Sequence, residues 1–212
     1  MREDGVRIEI EDVYFIIHMY EKLNMTENHL RVLSLFTAGF EREYHIREVQ
    51  KLLKISPRTA QLALAYLENS GILESKLRGK IRAYGLKKSY IAKDYLTLTE
   101  SYKKILFMEN NLMIKEICEK ITPWTKGTVV LFGSYVKGIQ KKTSDLDIFV
   151  AGTYNKERVN RISKLYGITI SIKNYPMKIF KSEINKDILL REILNDHVVV
   201  SGSEEFVEAA VV

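Results

Sequence analysis

One short stretch constrains this chain more than any other. Thr128-Val129-Val130-Leu131-Phe132 runs into Gly133-Ser134, then a basic stretch with Lys137, Lys141 and Lys142, then Ser144-Asp145-Leu146-Asp147 and Ile148-Phe149-Val150. Apolar runs of this length, rich in β-branched and aromatic residues and bounded by Gly and Ser, read as strands. The order is therefore strand, Gly-Ser turn, basic segment, and a second strand that opens on two aspartates. Side chains alternate along a strand, so Asp145 and Asp147 share a face, with Cα atoms ~7 Å apart. Leu146 and Ile148 turn the other way, into a core. Two hard carboxylates beside a turn that admits phosphate are the ingredients of a Mg²⁺–nucleotide site. The competing reading is an ordinary turn beside a solvated strand end.

Gly133-Ser134, Gly138 and Ser144-Asp145-Leu146-Asp147, at this spacing and in register with two apolar strands, resemble the DNA polymerase β-like nucleotidyltransferase superfamily, especially its small archaeal and bacterial members. The resemblance implies a C-terminal mixed sheet with flanking helices over residues 110–212. It implies that Gly133 lets the backbone approach a triphosphate, and that Ser134, at the start of a following helix, offers its hydroxyl and N–H to phosphate. Asp145 and Asp147 would be the catalytic metal ligands for Mg²⁺ or Mn²⁺, with Lys137 and Ser144 lining the nucleotide site and an NTP as donor substrate. Active members carry a third carboxylate on a following strand. The matching strand here, Gly167-Ile168-Thr169-Ile170-Ser171-Ile172, places Thr169 and Ser171 at that point, and neither is a base at neutral pH. Glu183 and Asp187 are the acidic residues left to substitute, if the fold brings them round.

A second constellation lies upstream. Thr26 is placed to cap a helix through Phe36 that turns Leu30, Leu33 and Phe36 inward. After the lead-in Glu43–Ile46 comes a helix burying Ile46, Val49, Leu52 and Leu53. Ser56-Pro57 is an N-cap followed by proline at the first helical position, opening a helix to Asn69 with Ala60, Leu64 and Leu67 inside. Gly71 ends it. Ile72–Leu77 and Ile81–Leu86 then make a hairpin with Arg78-Gly79-Lys80 at its tip. The segment is similar to winged helix-turn-helix domains of archaeal and bacterial regulators. By that similarity Arg58 and Gln61 face base edges, while Lys76, Arg78, Lys80 and Arg82 face phosphates of DNA or RNA. Between Lys76 and Lys88 there are six basic residues and no acidic one. The alternative is a winged helix used for docking, with solubilising charges.

Composition bounds the rest. The chain has 212 residues and a net charge of +6, with a pI near 9.2, a bias toward polyanionic partners. Its 46% hydrophobic content suits a globular protein, no apolar run is long enough to span a bilayer, and no signal peptide is apparent. One cysteine, Cys118, excludes an internal disulfide and suits the cytoplasm; it sits with Ile114, Ile117 and Ile121 at helical spacing, as a core thiol would. The four histidines form no zinc-ligand cluster. The expected architecture is α+β: an N-terminal winged helix-turn-helix with a leading helix over residues 11–23 (residues 1–88), a helical connector (89–109) and the C-terminal sheet domain. Tyr90, Tyr95 and Tyr102 read as packing residues, Trp124 as packed under the loop entering the first strand, Ile184–Leu194 as a helix and His197–Val200 as a strand. The aromatic leading helix leaves room for a homodimer. Two functions follow. One is transfer of a nucleoside monophosphate to an acceptor hydroxyl; the other is a DNA-binding regulator whose C-terminal domain only senses nucleotide.

Overall fold

The computed structural model describes residues 24–211; the helix expected over residues 11–23 lies outside them. Thr26 opens α1 (Glu27–Thr37), its backbone N–H donating to His29 Nδ1 at 3.0 Å. The lead-in is in fact a two-residue strand, β1 (Tyr44–His45), and α2 (Ile46–Leu53) begins directly after it. His45 and Glu48 form a reciprocal cap, with His45 Nδ1 accepting from the Glu48 N–H at 3.2 Å and Glu48 Oε2 accepting from the His45 N–H at 2.9 Å. Val49 is buried but Leu52, expected inside, is 55% exposed. The short α2 rests on its neighbours along a narrower stripe than its periodicity suggests. α3 (Pro57–Asn69) starts as anticipated, Ser56 Oγ accepting from the Thr59 N–H at 3.0 Å, a cap worth ~1 kcal/mol. β2 (Leu73–Arg78) and β3 (Ile81–Leu86) form the wing, one residue later at its start than expected. β1 joins β3 to make a three-stranded antiparallel sheet, order β1-β3-β2.

Ser89 caps α4 (Tyr90–Asn110), its Oγ accepting from the Ala92 N–H at 3.2 Å and donating to the Gly71 carbonyl at 2.9 Å. This ties the connector to the end of the winged helix. Tyr95 and Tyr102 are half-buried, but Tyr90 is 85% exposed because it sits at the solvent-facing first position of α4. Asn111 breaks the helix before α5 (Leu112–Ile121), so the helix expected from Asn110 starts two residues later.

A 3₁₀ turn, Thr122–Trp124, then leads into β4 (Thr125–Phe132). Trp124 is not tucked under the loop. It is partly exposed, with the Arg158 guanidinium 4.2 Å above its ring centre. β5 (Leu146–Tyr154) pairs antiparallel with β4, and α6 (Lys156–Tyr166) crosses to β6 (Ile170–Tyr175), which lies parallel to β5. α7 (Met177–Glu183), α8 (Ile188–Asn195), β7 (His197–Ser201) and α9 (Ser203–Ala210) complete the chain. The helix expected from Ile184 begins only at Ile188, because Asp187 Oδ1 caps it by accepting from the Leu190 N–H at 3.0 Å.

The mixed sheet has the order β6-β5-β4-β7 and is covered on both faces, which is why Leu146–Ala151 reads as a nearly unbroken apolar run. Leu146, Ile148 and Val150 pack with α5 and α6 around Ile114, Ile117 and Ile162. Phe149 and Ala151 face the other layer, with Phe180 of α7 and Phe206 of α9. That second core continues without a break through Leu96 of α4 to Phe36, Leu64 and Leu67 of the winged helix. Phe40 is the wedge where the parts meet. It is buried at a positive φ of +50°, with its ring 6.1 Å from Phe206 and 6.2 Å from His197. A phenylalanine holds that backbone conformation only where its surroundings impose it.

Polar groups are buried at the same junction. Glu100 on α4 is fully buried, and both its carboxylate oxygens accept from Lys103 Nζ at 2.9 Å. Lys103 also donates to Thr37 Oγ1 at the end of α1, at 3.1 Å, and lies 3.1 Å from His197 Nε2 at the start of β7. His197 Nε2 is 3.2 Å from Glu100 Oε2. His197 Nδ1 faces only the carbonyls of Ile193 and Leu194, at 3.0 and 3.1 Å, so Nδ1 carries a hydrogen. Burial alone would raise the Glu100 carboxyl, but the charges of His197 and Lys103 outweigh it and hold it at about 2.

Candidate functional site

β4 delivers Phe132 to the core and the chain turns at Gly133, where φ is +75°. A Cβ there would stand 2.5 Å from Asp147 Oδ2. Glycine is thus required both by the backbone and by the carboxylate next to it. The segment that follows makes one helical turn and no more. The Lys137 N–H donates to the Gly133 carbonyl at 3.1 Å and the Ile139 N–H to the Ser134 carbonyl at 3.1 Å, and Gly138, at φ +67°, stops it. Ser134 therefore heads a turn rather than the expected helix. With so short a run of aligned peptides, its affinity for an anion rests on its own N–H and hydroxyl, not on a macrodipole.

Ser144 shapes the approach to the aspartates. Its Oγ accepts from the Lys141 N–H at 2.8 Å and its N–H donates to the Lys141 carbonyl at 3.0 Å, closing a tight turn. The Leu146 N–H then donates to the Thr169 carbonyl at 2.8 Å, fixing where β5 meets β6. Asp145 is exposed and Asp147 half-buried, while Leu146 and Ile148 point into the core, as the alternation requires. Asp147 lies level with Phe132 on one side and Ser171 on the other. Burial, and then the Asp145 charge, push the Asp147 carboxyl up from its ordinary value, against the Lys173 charge and the Ser171 hydroxyl. A pair of like charges kept together this way fits a cation ligand set, with the Asp147 carboxylate taking the room that a side chain at position 133 would fill.

The third-carboxylate position is now defined. Ser171 stands opposite Asp147, and Lys173 is the next residue of β6 on the same face. Neither Glu183 nor Asp187 fills the gap. Asp187 caps α8 and accepts a hydrogen bond from the Tyr175 hydroxyl at 3.3 Å, and Glu183 ends α7. The acidic residue that does bear on Asp147 is Glu192 of α8, whose Oε1 accepts from Lys137 Nζ at 3.2 Å. Among the described residues no three histidine, cysteine or acidic side chains gather as a metal cluster. Sequence reading missed Lys173 and Glu192. The alternation of β6 carries the signal for Lys173; nothing local carries one for Glu192, which arrives through the packing of α8.

On the winged helix, Arg58 and Gln61 are exposed on one face of α3, joined by a hydrogen bond from Arg58 Nη1 to Gln61 Oε1 at 3.2 Å. The wing is free of acid only along the chain. In space, Lys76 pairs with Glu74 at 3.1 Å, Arg78 with Glu43 at 2.8 Å and Arg82 with Glu68 at 3.6 Å. Glu74 lies two residues up the same strand, Glu43 arrives beside β1 through strand pairing, and Glu68 comes from α3. All three pairs hold exposed basic groups, so they are weak and exchangeable. Lys80, at the hairpin tip, has no acidic partner within ion-pair distance among the described residues.

Residues 113–205 match the family described as "Polymerase beta, Nucleotidyltransferase". A solved structure similar to this chain is the adhesin competence repressor AdcR from Streptococcus pyogenes, at 19% identity, covering 49% of this chain and 76% of that one, with a TM-score of 0.36. No curated protein matches. No helix among the described residues is long and apolar enough to cross a membrane.

Proposed function

We propose that the chain binds a nucleoside triphosphate with a divalent cation, Mg²⁺ or Mn²⁺, at Asp145 and Asp147, and transfers a nucleoside monophosphate to an acceptor hydroxyl. The observation that carries this reading is the Asp147 carboxylate lodged against Gly133, with Asp145 on the same face and Ser134 at the head of the turn. Gly133 and Ser134 receive the phosphates through backbone N–H and hydroxyl. Asp145 and Asp147 hold the ion, which when bound neutralises phosphate charge and stabilises the departing pyrophosphate. Lys137 reaches the phosphates once it releases Glu192, and Ser144 fixes the strand entry rather than touching nucleotide. Calorimetry with each NTP tests this. Binding that requires Mg²⁺ and is lost in Asp145→Asn and Asp147→Asn is expected; binding indifferent to both substitutions refutes it.

A second reading, a DNA- or RNA-binding regulator whose C-terminal domain senses nucleotide without transfer, is favoured by Ser171 and Lys173 where a third carboxylate would act as base. Both readings place nucleic acid on Arg58, Gln61 and the wing residues Lys76, Arg78, Lys80 and Arg82. The phosphate-facing groups are expected to give salt-dependent affinity, each neutralised contact lowering the slope of log affinity against log salt by about one. A slope unchanged in Lys80→Ala and Arg82→Ala would remove the wing from the interface.

A further inference from the structure

The β6 residues beside Asp147 say more about the site than the absence of a base. Ser171 is level with Asp147 and Lys173 follows on the same face, exposed on the edge strand of the sheet. The ammonium of Lys173 therefore enters the site from the side opposite β4, where Gly133 and Ser134 stand. A two-ion site holds its cations ~3.5–4 Å apart and needs hard oxygen ligands on both. Here the position that would supply the further oxygen is a neutral hydroxyl level with Asp147, and the exposed Lys173 ammonium stands two residues further along the same face. A second divalent ion would have to be held by Asp145 and Asp147 alone, against that charge. Yet a triphosphate needs more positive charge than one divalent ion provides. Lys137, on the β4 side, reaches the phosphates only by releasing Glu192, to which it is paired at 3.2 Å.

We propose that the site binds nucleotide with a single divalent ion, and that the Lys173 ammonium takes the place of a second one against the triphosphate. In the absence of nucleotide Lys173 balances Asp147; with MgNTP bound, Asp147 would hold the ion and Lys173 would turn to phosphate. This rests on the reading above that the domain binds NTP. It makes Lys173 a binding residue and assigns Ser171 a role in orienting Asp147.

The test is the stoichiometry of Mn²⁺, measured by electron paramagnetic resonance on the full chain with each of the four NTPs, beside nucleotide affinity by calorimetry. One Mn²⁺ per bound nucleotide is expected in the wild type. Lys173→Ala should weaken nucleotide binding by roughly tenfold or more, the scale of one charge-assisted phosphate contact, and Lys173→Arg should restore most of it. The double variant Ser171→Asp/Lys173→Ala, which supplies a third carboxylate and removes the charge, should take up a second ion. Because Lys173 is exposed at a sheet edge, these variants keep their fold, and thermal melting verifies it. Two ions in the wild type, or unchanged nucleotide affinity in Lys173→Ala, overturns this inference while leaving the nucleotide site standing. No binding of any NTP by the wild type overturns both.

Discussion

Replacing Lys103 with methionine should destabilise the whole molecule, although the partners of Lys103, namely Thr37, Glu100 and His197, lie outside the proposed nucleotide site. Methionine matches the apolar stem and removes only the ammonium, so the packing loss is small. What changes is Glu100, which is fully buried and takes both its short 2.9 Å bonds from Lys103. Breaking a buried pair by removing one partner costs about 3–5 kcal/mol, and because His197, 3.2 Å from Glu100, keeps part of the compensation, the lower end of that range is expected. Thr37 also loses its 3.1 Å bond, at the end of α1. Against a total stability of about 5–15 kcal/mol this is a large share. Urea unfolding at neutral pH, followed by circular dichroism and by the fluorescence of the single tryptophan, gives the number. The double variant Glu100→Gln/Lys103→Met, which removes the charge as well, should recover a good part of the loss. Acid supplies an independent arm. The folded Glu100 carboxyl lies at about 2 against an ordinary value of 4.5. Its contribution to stability is therefore present above 4.5 and lost as pH falls from there through about 2. In Lys103→Met the carboxyl rises, so this acid-linked decline should flatten. A single-variant loss below about 1 kcal/mol, the range of exposed pairs, would refute the argument, as would a double variant no better than the single.

Asp147→Asn removes a carboxylate whose ionisation the fold disfavours, so its melting temperature at neutral pH should stay level or rise even as Mg²⁺-dependent nucleotide binding disappears; a fall of several degrees would assign Asp147 to the fold instead. Burial, and then the Glu119 charge, push the Cys118 thiol up to about 12, so it should resist thiol reagents at mildly alkaline pH until the chain unfolds, and rapid stoichiometric labelling of native protein would contradict its burial. Phe40→Ala should cost about 3–5 kcal/mol through the emptied space between His197 and Phe206, less whatever backbone strain it relieves, and a loss under about 1 kcal/mol in urea unfolding would mean the wedge does not hold the parts together.

What could be read from the sequence was what local chemistry writes locally. Ser56-Pro57 announced α3 because a cap and a fixed φ act within one turn, and the alternation across Asp145–Ile148 placed carboxylates and core residues on their proper faces. The failures share a cause. The wing looked free of acid because Glu43 and Glu68 reach it through strand pairing and helix packing rather than along the chain. Ser134 was expected at a helix start, but Gly138 ends the turn too soon. Three helices, α6, α7 and α9, were not foreseen, although Asn155 supplies α6 with a side-chain cap, its Oδ1 accepting from the Arg158 N–H at 3.0 Å. Lys173 falls just outside the strand expected from sequence because the apolar alternation that marks it ends at Ile172, one residue before. In the Glu100–Lys103–His197 network only the Glu100–Lys103 spacing of three residues on α4 is local; Thr37 and His197 come from far along the chain, and only the folded junction brings them to it.

The unbroken core from Phe36 to Phe206 bears on how such a protein can be inherited and engineered. Parts joined by a loose tether can be exchanged between genes, each keeping its own stability. Here the winged helix and the nucleotidyltransferase sheet complete one another's interior, so a cut at the connector would leave two raw apolar faces rather than two working pieces. A chimaera that borrows either half must bring Phe40, Lys103 and the α4 face with it, and the two parts keep one fixed geometry between them.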